Sequence, residues 1–495
     1  MRLFPTLSVL FPIIAGAALW FLQPEDRRRR ERYAMAVVLA TSVFIFASLL
    51  LTSRFGADAT ELSLLPIGQN LAIAFRIDGA STVFGAIIAT LWPLTTLYAF
   101  SYMEHEGREN KFFSFFLMSY GVVAGIAFAR DFFTLYLFYE LMTLATLPLV
   151  MHSMDAKARS AGRKYLIYSM SGATLIFIVL VFFMNYGSGL DFVAGGLLDP
   201  TLIRGHENML RIIFLLGFFG FGVKAAIFPL HAWLPSASVA PTPVTALLHA
   251  VAVVKSGAFA VMRLIYFGFG ADFLRGTSVQ HVALTATALT IVFGSAMALR
   301  SPHLKRRLAY STISNLSYIL FAFALMTEGG FAGGLAHMIY HAVIKITLFF
   351  CAGAILHQSG REYVYELEGM AKRMPLTAAA FTVASLGLMG IPPLGGFISK
   401  FTIGSAAAAL HDPFATLGAV ALVLSAVLTI LYMMTVIVRM YFPLKEQDLS
   451  ALAGVREADW RMTVPLAILT VLAVLLALSS RGILAYLTGV GGAVL

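Results

Sequence analysis

Apolar runs about as long as a bilayer is thick recur along this chain, and they leave room for few other folds. A membrane-spanning helix needs about 20 predominantly apolar residues. Fourteen candidate segments follow one another: 4–22, 33–52, 79–102, 112–129, 132–151, 164–186, 210–229, 241–267, 281–299, 306–326, 331–357, 375–410, 414–440 and 462–489. The segment 375–410 is too long for one straight helix and contains "GIPPLGG", Gly390–Gly396, so it reads as a broken span. Charged residues make up 12% of the 495, half of the roughly 25% usual in soluble domains. The expected fold class is an all-α polytopic membrane protein with about 14 transmembrane helices. Residues 61–78, "ELSLLPIGQNLAIAFRID", alternate around a Pro-Ile-Gly-Gln-Asn turn and predict a small hairpin on the outer surface.

The net charge of +10 does not point to nucleic acid, because no cluster interleaves arginine with aromatics as a single-strand binder does. Its basic residues flank spans instead. With the N-terminus placed outside and the spans alternating, the inner loops and their helix ends hold 22 Lys and Arg, and the outer side 9. That asymmetry agrees with the positive-inside rule. It predicts a bacterial-type cytoplasmic membrane with both termini on the outer side. The first apolar run is followed, not preceded, by "RRRRER", so it reads as a first span and not as a signal peptide. The single cysteine, Cys351, excludes a disulfide framework and any CxxC-based metal or iron–sulfur site.

Four lysines are left over from that count, and all lie inside predicted spans: Lys224, Lys255, Lys345 and Lys400. Glu140 sits near the middle of the span 132–151, and His249, His337 and His341 lie in spans as well. An ionisable group at the bilayer centre costs about 2.5–3.5 kcal/mol, so these five Lys and Glu would together cost roughly 12–17 kcal/mol. Interhelical pairing to fix the packing is one explanation for any single residue. It does not serve for the set, because one carboxylate cannot neutralise four lysines. A buried lysine gives up its proton more readily than one in water, so such groups can take up and release protons.

Spacing adds to this. In "AHMIYHAVIKITLFF", His337, His341 and Lys345 stand at i, i+4 and i+8, one stripe of a helix. His249 and Lys255 are six residues apart and line one route only loosely. His337 and His341 could instead hold haem or a metal, but no third hard ligand is evident and a lysine lies one turn away. The chain shows no phosphate-binding glycine loop or cofactor ligand set, so no cofactor is expected in it.

Helix breakers accompany the lysines. Pro229, Pro235, Pro241 and Pro243 follow Lys224, and Gly390, Pro392, Pro393, Gly395 and Gly396 precede Lys400. Non-helical backbone at membrane depth is tolerated only where protein or water covers it, and paired breaks in two halves of a chain point to an ion site built from inverted repeats. The two breaks lie five spans apart, which fits a five-helix repeat.

These residues carry a family resemblance. "KAAIFPLHAWLPSASVAPTPVTALLHAVAVVKSG", "HMIYHAVIKITLFF" and "GIPPLGGFISKF" closely resemble motifs of the antiporter-like subunits of respiratory complex I. The same family takes in the D-type subunit of multisubunit Na⁺/H⁺ (Mrp) antiporters and subunits of membrane-bound hydrogenases. The resemblance implies two inverted five-helix repeats, helices 4–8 (112–267) and 9–13 (281–440), with helices 7 and 12 broken. Residues 1–102 precede the repeats and 462–489 follow them. It implies that Glu140 and Lys224 form a coupling ion pair, that His249, Lys255, His337, His341 and Lys345 form a hydrated central axis, and that Lys400 is the terminal site. Lysine at that last position favours the D-type antiporter and its hydrogenase and complex I relatives. Ser236 stands where relatives often carry Asp, with little effect expected on the lysines. The chain stops after the last span, so the long lateral helix of the largest complex I subunit is expected to be absent.

Three functions are compatible with this reading. The first is a proton-translocating subunit of a larger complex I-like or hydrogenase-like complex. Its partners would be homologous membrane subunits, the bilayer, and redox subunits carrying iron–sulfur or flavin. The second is the D-type subunit of an Mrp antiporter without redox coupling. The third is a scaffold whose polar groups only hold helices together. An enzyme acting alone is not expected.

Overall fold

The computed structural model describes residues 2–67, 71–443 and 452–495. Nearly all of it is helical. The first seven helices are α1 (Leu3–Leu22), α2 (Arg27–Phe55), α3 (Gly79–Tyr102), α4 (Glu109–Phe128), α5 (Phe132–Val150), α6 (Ala156–Tyr186) and α7 (Glu207–Lys224). Then come α8 (Trp233–Ser236), α9 (Thr242–Ala250), α10 (Val253–Arg263), α11 (Ala271–Leu274), α12 (Ser278–Arg300) and α13 (Leu304–Ala324). The last six are α14 (Glu328–Ser359), α15 (Pro375–Met389), α16 (Gly395–Ala409), α17 (Pro413–Tyr441), α18 (Trp460–Leu478) and α19 (Ser480–Gly492). Among the described residues, eleven helical stretches are long and apolar enough to cross a membrane. The remaining three candidates correspond to α7, α13 and the pair α15–α16. The chain is an integral membrane protein. Two strands, β1 (Leu62–Pro66) and β2 (Ala72–Phe75), pair antiparallel with an irregularity between Ser63 and Leu65. The turn expected between them, at Gly68–Asn70, lies outside the described residues.

Aspartates begin many of these helices. The side chains of Asp26, Asp78, Asp131, Asp155, Asp412 and Asp459 each accept from a backbone N–H in the first turn of α2, α3, α5, α6, α17 and α18. Each satisfies a donor that the helix itself leaves unpaired. Six of the chain's 25 acidic residues therefore serve to start spans.

The breaks follow from backbone chemistry. α7 stops at Lys224; Ala226 turns left-handed (φ 57°), its N–H bonding Val223 O and that of Ile227 bonding Gly222 O, both at 3.0 Å. Pro229 cannot continue the helix. The Trp233 indole donates to Val223 O at 2.8 Å, taking up a helix-end carbonyl. α15 stops at Gly390 (φ 87°), and Pro392 and Pro393 hold the chain out of helix until α16. A third interruption, which the sequence reading did not foresee, separates α9 from α10. Val251 leaves helical geometry (φ −133°), and Leu247 O accepts from both Val251 N at 3.0 Å and Ala252 N at 2.8 Å. The second of these is an i→i−5 bond, a π-type bulge of the kind found at functional sites. The candidate span 462–489 also divides, at Ser479, into α18 and α19.

Burial sorts the helices into centre and rim. The apolar window of the α9–α10 stretch is 100% buried and that of α14 is 89%, against 28% for α18 and 39% for α6. The two central stretches are those that bear His249 and Lys255, and His337, His341 and Lys345.

Candidate functional site

Lys224 is fully buried in the last turn of α7. Its ammonium donates to the Tyr139 carbonyl of α5 and lies 3.6 Å from the Tyr139 ring centroid. Glu140 is the next residue, and its Oε1 is buried without a hydrogen-bond partner among the described residues. Among the described residues no ion pair within 4.0 Å joins Glu140 to Lys224; the lysine rests one residue short of the carboxylate, on a neutral dipole and a ring face.

α10 packs directly on this end of α7. A Cβ on Gly257 would lie 2.6 Å from Ala225 N and 2.9 Å from Lys224 C, so only glycine permits the approach. Two residues earlier, Lys255 stands in the first turn of α10, just past the π-type bulge. Its Nζ is 2.7 Å from His341 Nδ1 on α14. The bond is satisfied with the proton on either nitrogen, since neutral imidazole accepts at one nitrogen and donates at the other.

From His341 the contacts run along α14 and across to α16. The His341 and His337 rings are 5.7 Å apart. His337 Nδ1 is 2.9 Å from Ser399 Oγ, and the next residue is Lys400. Lys400 donates to the Leu388 carbonyl at 2.6 Å and the Met389 carbonyl at 3.2 Å, the free end of α15. Tyr318 of α13 lies beside both, its ring 5.3 Å from that of His337 and 5.3 Å from Lys400 Nζ. Its hydroxyl donates to Ser425 Oγ at 2.6 Å, which also contacts Ser295 and Ser314.

Two residues flank this line. Lys345 donates to the Leu308 carbonyl at 3.0 Å and to Ser311 Oγ. His249 stacks on Phe349 with centroids 4.7 Å apart, and neither of its ring nitrogens has a hydrogen-bond partner among the described residues. Direct contacts thus link Lys255, His341, His337, Ser399, Tyr318 and Lys400. Lys224 and Glu140 join them through the packing of α7 and α5 on α10. Pro229 and Pro235 lie between α7 and α9, and Pro392 and Pro393 between α15 and α16.

The sequence reading did not identify Tyr139, Ser311, Tyr318 or Ser399. Ser399 is flagged only by adjacency to Lys400, and a backbone carbonyl such as that of Tyr139 leaves no signal in a sequence. It also missed the pairing of Arg263 with Asp78, 185 residues apart, at 2.5 Å.

Chemically, this is a file of proton-accepting and proton-donating groups whose cations rest on neutral partners. Within it Lys255–His341 and His337–Ser399 are at hydrogen-bond distance, while the two imidazoles are joined by ring contact at 5.7 Å.

A family model described as NADH:quinone oxidoreductase/Mrp antiporter, TM, matches residues 129–429, which hold every residue of this file. Another, described as NADH-Ubiquinone oxidoreductase (complex I), chain 5 N-terminus, matches residues 65–113. A curated relative, NAD(P)H-quinone oxidoreductase chain 5 of Picosynechococcus sp., is 29% identical over 418 residues, covering 80% of this chain and 61% of its own length. The chain therefore spans about three-fifths of that relative. In fold it is similar to a chain of the archaeal membrane-bound sulfane sulfur reductase, a respiratory membrane complex, with TM-score 0.87 at 23% identity over 99% of this chain and 97% of the other. It is also similar to a chain of the Mrp complex from Dietzia sp., with TM-score 0.85 at 22% identity over 100% and 97% of the two chains.

Proposed function

Because the chain belongs to the NADH:quinone oxidoreductase/Mrp antiporter transmembrane family, we propose that it is the proton-translocating membrane subunit of a larger ion-moving complex. The observation that carries this reading is the 2.7 Å contact between Lys255 and His341 at the centre of the fold. A proton can sit on either side of it, and the line continues by contacts to Lys400. Lys224 supplies the coupling. Its partner is on α5, so a neighbouring subunit that shifts α5 exchanges the Tyr139 carbonyl for the Glu140 carboxylate. That changes how strongly Lys224 holds its proton, and the change is felt at α10 through Gly257.

The same proposal includes two inverted five-helix repeats, residues 112–267 and 281–440, supported by the matching breaks before α8 and before α16. It places both termini on the outer side of a bacterial-type cytoplasmic membrane, as the loop charges favour. Its partners are other membrane subunits, homologous ones among them.

Redox subunits carrying iron–sulfur or flavin would drive the complex in one form; a cation gradient would drive it in an Mrp-type form. Gentle purification with iron, flavin and subunit mass analysis separates these. The reading itself is tested by Lys224→Met in the assembled complex. It predicts normal assembly with proton transport abolished, and undiminished transport in that variant overturns it.

A further inference from the structure

The final span is cut in two at Ser479, and its length explains where. α18 has 19 residues, about 28 Å at 1.5 Å per residue, close to the roughly 30 Å of a bilayer's hydrocarbon core. It starts at the face that bears the basic loops, where Arg461 lies 3.2 Å from Glu31 of α2. Ser479 therefore falls at the opposite face, and α19 begins there. α19 then crosses the first turns of α3 and α14. The Tyr486 hydroxyl donates to the Gly79 carbonyl at 3.4 Å. A Cβ on Gly79 would lie 2.6 Å from Val490 Cγ2, and one on Gly491 would lie 3.3 Å from Phe331 Cδ1.

These helices do not close on one another. α3, α14, α18 and α19 surround an apolar groove of about 400 Å³. Along α3 it extends from Thr82 to Leu91, about 14 Å. Ile339 and Val343 of α14 and Leu476 of α18 line it. Between Gly330 and Ile355, Ile339 is the one residue of α14 that is not buried. Two residues turn a helix by about 200°, so Ile339 and Val343 lie on the side of α14 turned away from His337 and His341. At the rim, Tyr486 is 47% exposed and Gly482 is exposed as well, so the groove opens to the outside of the molecule.

Its lining and its place say what fills it. Apolar cavities do not hold water, and the medium around a span at this depth is hydrocarbon. The groove is nearly as long as one leaflet of that core is deep, about 15 Å. A charged residue stands at its head. Arg481 is exposed, immediately precedes Gly482 of the lining, and has no carboxylate or hydrogen-bond partner among the described residues. A guanidinium at a membrane face is suited to a phosphate.

We propose that this groove is a binding site for an anionic phospholipid of the leaflet opposite the basic loops. One acyl chain lies along α3 against Ile339 and Val343, and the phosphate rests on Arg481. Tyr486 stands beside the headgroup, at the level where tyrosine is enriched in membrane proteins. The bound chain completes the packing behind the helix that carries His337, His341 and Lys345.

The test places the full complex in phosphatidylcholine vesicles doped with phosphatidylglycerol that carries a diazirine at the end of one chain. After photolysis the modified residues are mapped by peptide mass spectrometry. The site predicts label at Ile339–Val343 and near Leu91. Phosphatidylcholine with the same diazirine should give about fivefold less, the effect expected of one interfacial arginine, and Arg481→Gln should erase that preference. Ala86→Trp and, separately, Thr90→Phe fill the groove and should reduce the label at Ile339 to background, with assembly checked by size exclusion. Arg481→Gln changes an exposed side chain, so it decides the matter if both bulky variants fail to assemble. Label spread evenly over the outward faces of α2, α6 and α17, as from surrounding lipid only, overturns the site. No label at Ile339, whether the groove stays empty or a neighbouring subunit's helix covers it, overturns it too. Equal label from the two lipids, unchanged in Arg481→Gln, removes the anionic headgroup from the proposal.

Discussion

Arg263 and Lys255 lie eight residues apart on the same helix, and both are buried, at 1% and 0% exposure. Their partners differ in kind. Arg263 has a carboxylate at 2.5 Å, the Ser81 hydroxyl at 2.9 Å, and the rings of Phe192, Phe259 and Phe267 within 5.1 Å of its guanidinium carbon. Lys255 has one imidazole. A buried cation with its carboxylate and hydrogen bonds in place is fixed, because removing any part leaves a charge uncompensated. A buried amine facing a neutral base is not, because the proton between them can change sides without stranding a charge elsewhere. One helix thus carries a movable charge in its first turn and a structural one in its last. Burial alone does not distinguish function from structure here; the partner does.

The largest effect that follows is on stability. Arg263→Met strands Asp78 and should cost about 3–5 kcal/mol, read as a large fall in the unfolding temperature of the complex in detergent. If the variant instead keeps its stability and loses transport per complex, the contrast between the two cations fails. The same pair gives a pH dependence. Burial opposes the charge on Asp78, yet Arg263 and the Ser81 hydrogen bonds outweigh it and hold the carboxyl below its usual range. A carboxyl depressed in the folded state stabilises above its unfolded pKa, about 3.9, and that contribution is lost as pH falls through the lower folded value. Acid unfolding should therefore steepen below about pH 4, and Asp78→Asn should flatten it while lowering stability at neutral pH. A wild-type acid profile unaffected by Asp78→Asn would show that the pair is not linked to folding.

Lys255→Met is the converse experiment. Removing an acid–base group from the file should lower transport on the order of a hundredfold. Stability should hold or rise, since an apolar side chain replaces a buried ionisable one that has no carboxylate partner. Transport per assembled complex and the unfolding temperature are measured on the same preparation. A fall in stability matching that of Arg263→Met would place Lys255 among the structural charges.

The sequence revealed much of this through backbone and charge rules and little of it through contacts. Membrane helices are set by local hydropathy, so the span candidates, the breaks after Lys224 and at Gly390, and the stripe His337–His341–Lys345 were all legible. Proline and glycine announce those breaks because they lack a donor or a Cβ. The bulge at Val251–Ala252 occurs in "HAVAVVK", which contains neither, so no residue type announces it. The resting partner of Lys224 was not legible either. A reading by side-chain charge favours Glu140, whereas the ammonium lies on the carbonyl and ring of Tyr139, and a carbonyl is common to every residue. Likewise Asp78 looked like a loop acid, and Arg263 like one of nine outer basic residues, until the fold brought them together.

Tyr139 allows the comparison to be sharpened by its smallest expected effect. Its ring faces Lys224 Nζ at 3.6 Å, and its hydroxyl donates to the Phe221 carbonyl at 3.1 Å. Tyr139→Phe keeps the ring and loses the hydroxyl, so it should cost about 1 kcal/mol of stability and leave transport alone. Tyr139→Leu loses both. A desolvated cation–π contact contributes roughly 1–2 kcal/mol, so with its ring partner gone Lys224 should shift toward Glu140 and transport should fall about tenfold relative to Tyr139→Phe, at 1.4 kcal/mol per decade. The backbone carbonyl remains in both variants, so any difference between them belongs to the ring. If the two transport equally, the carbonyl alone holds Lys224, and the step that frees it must be a movement of the α5 backbone.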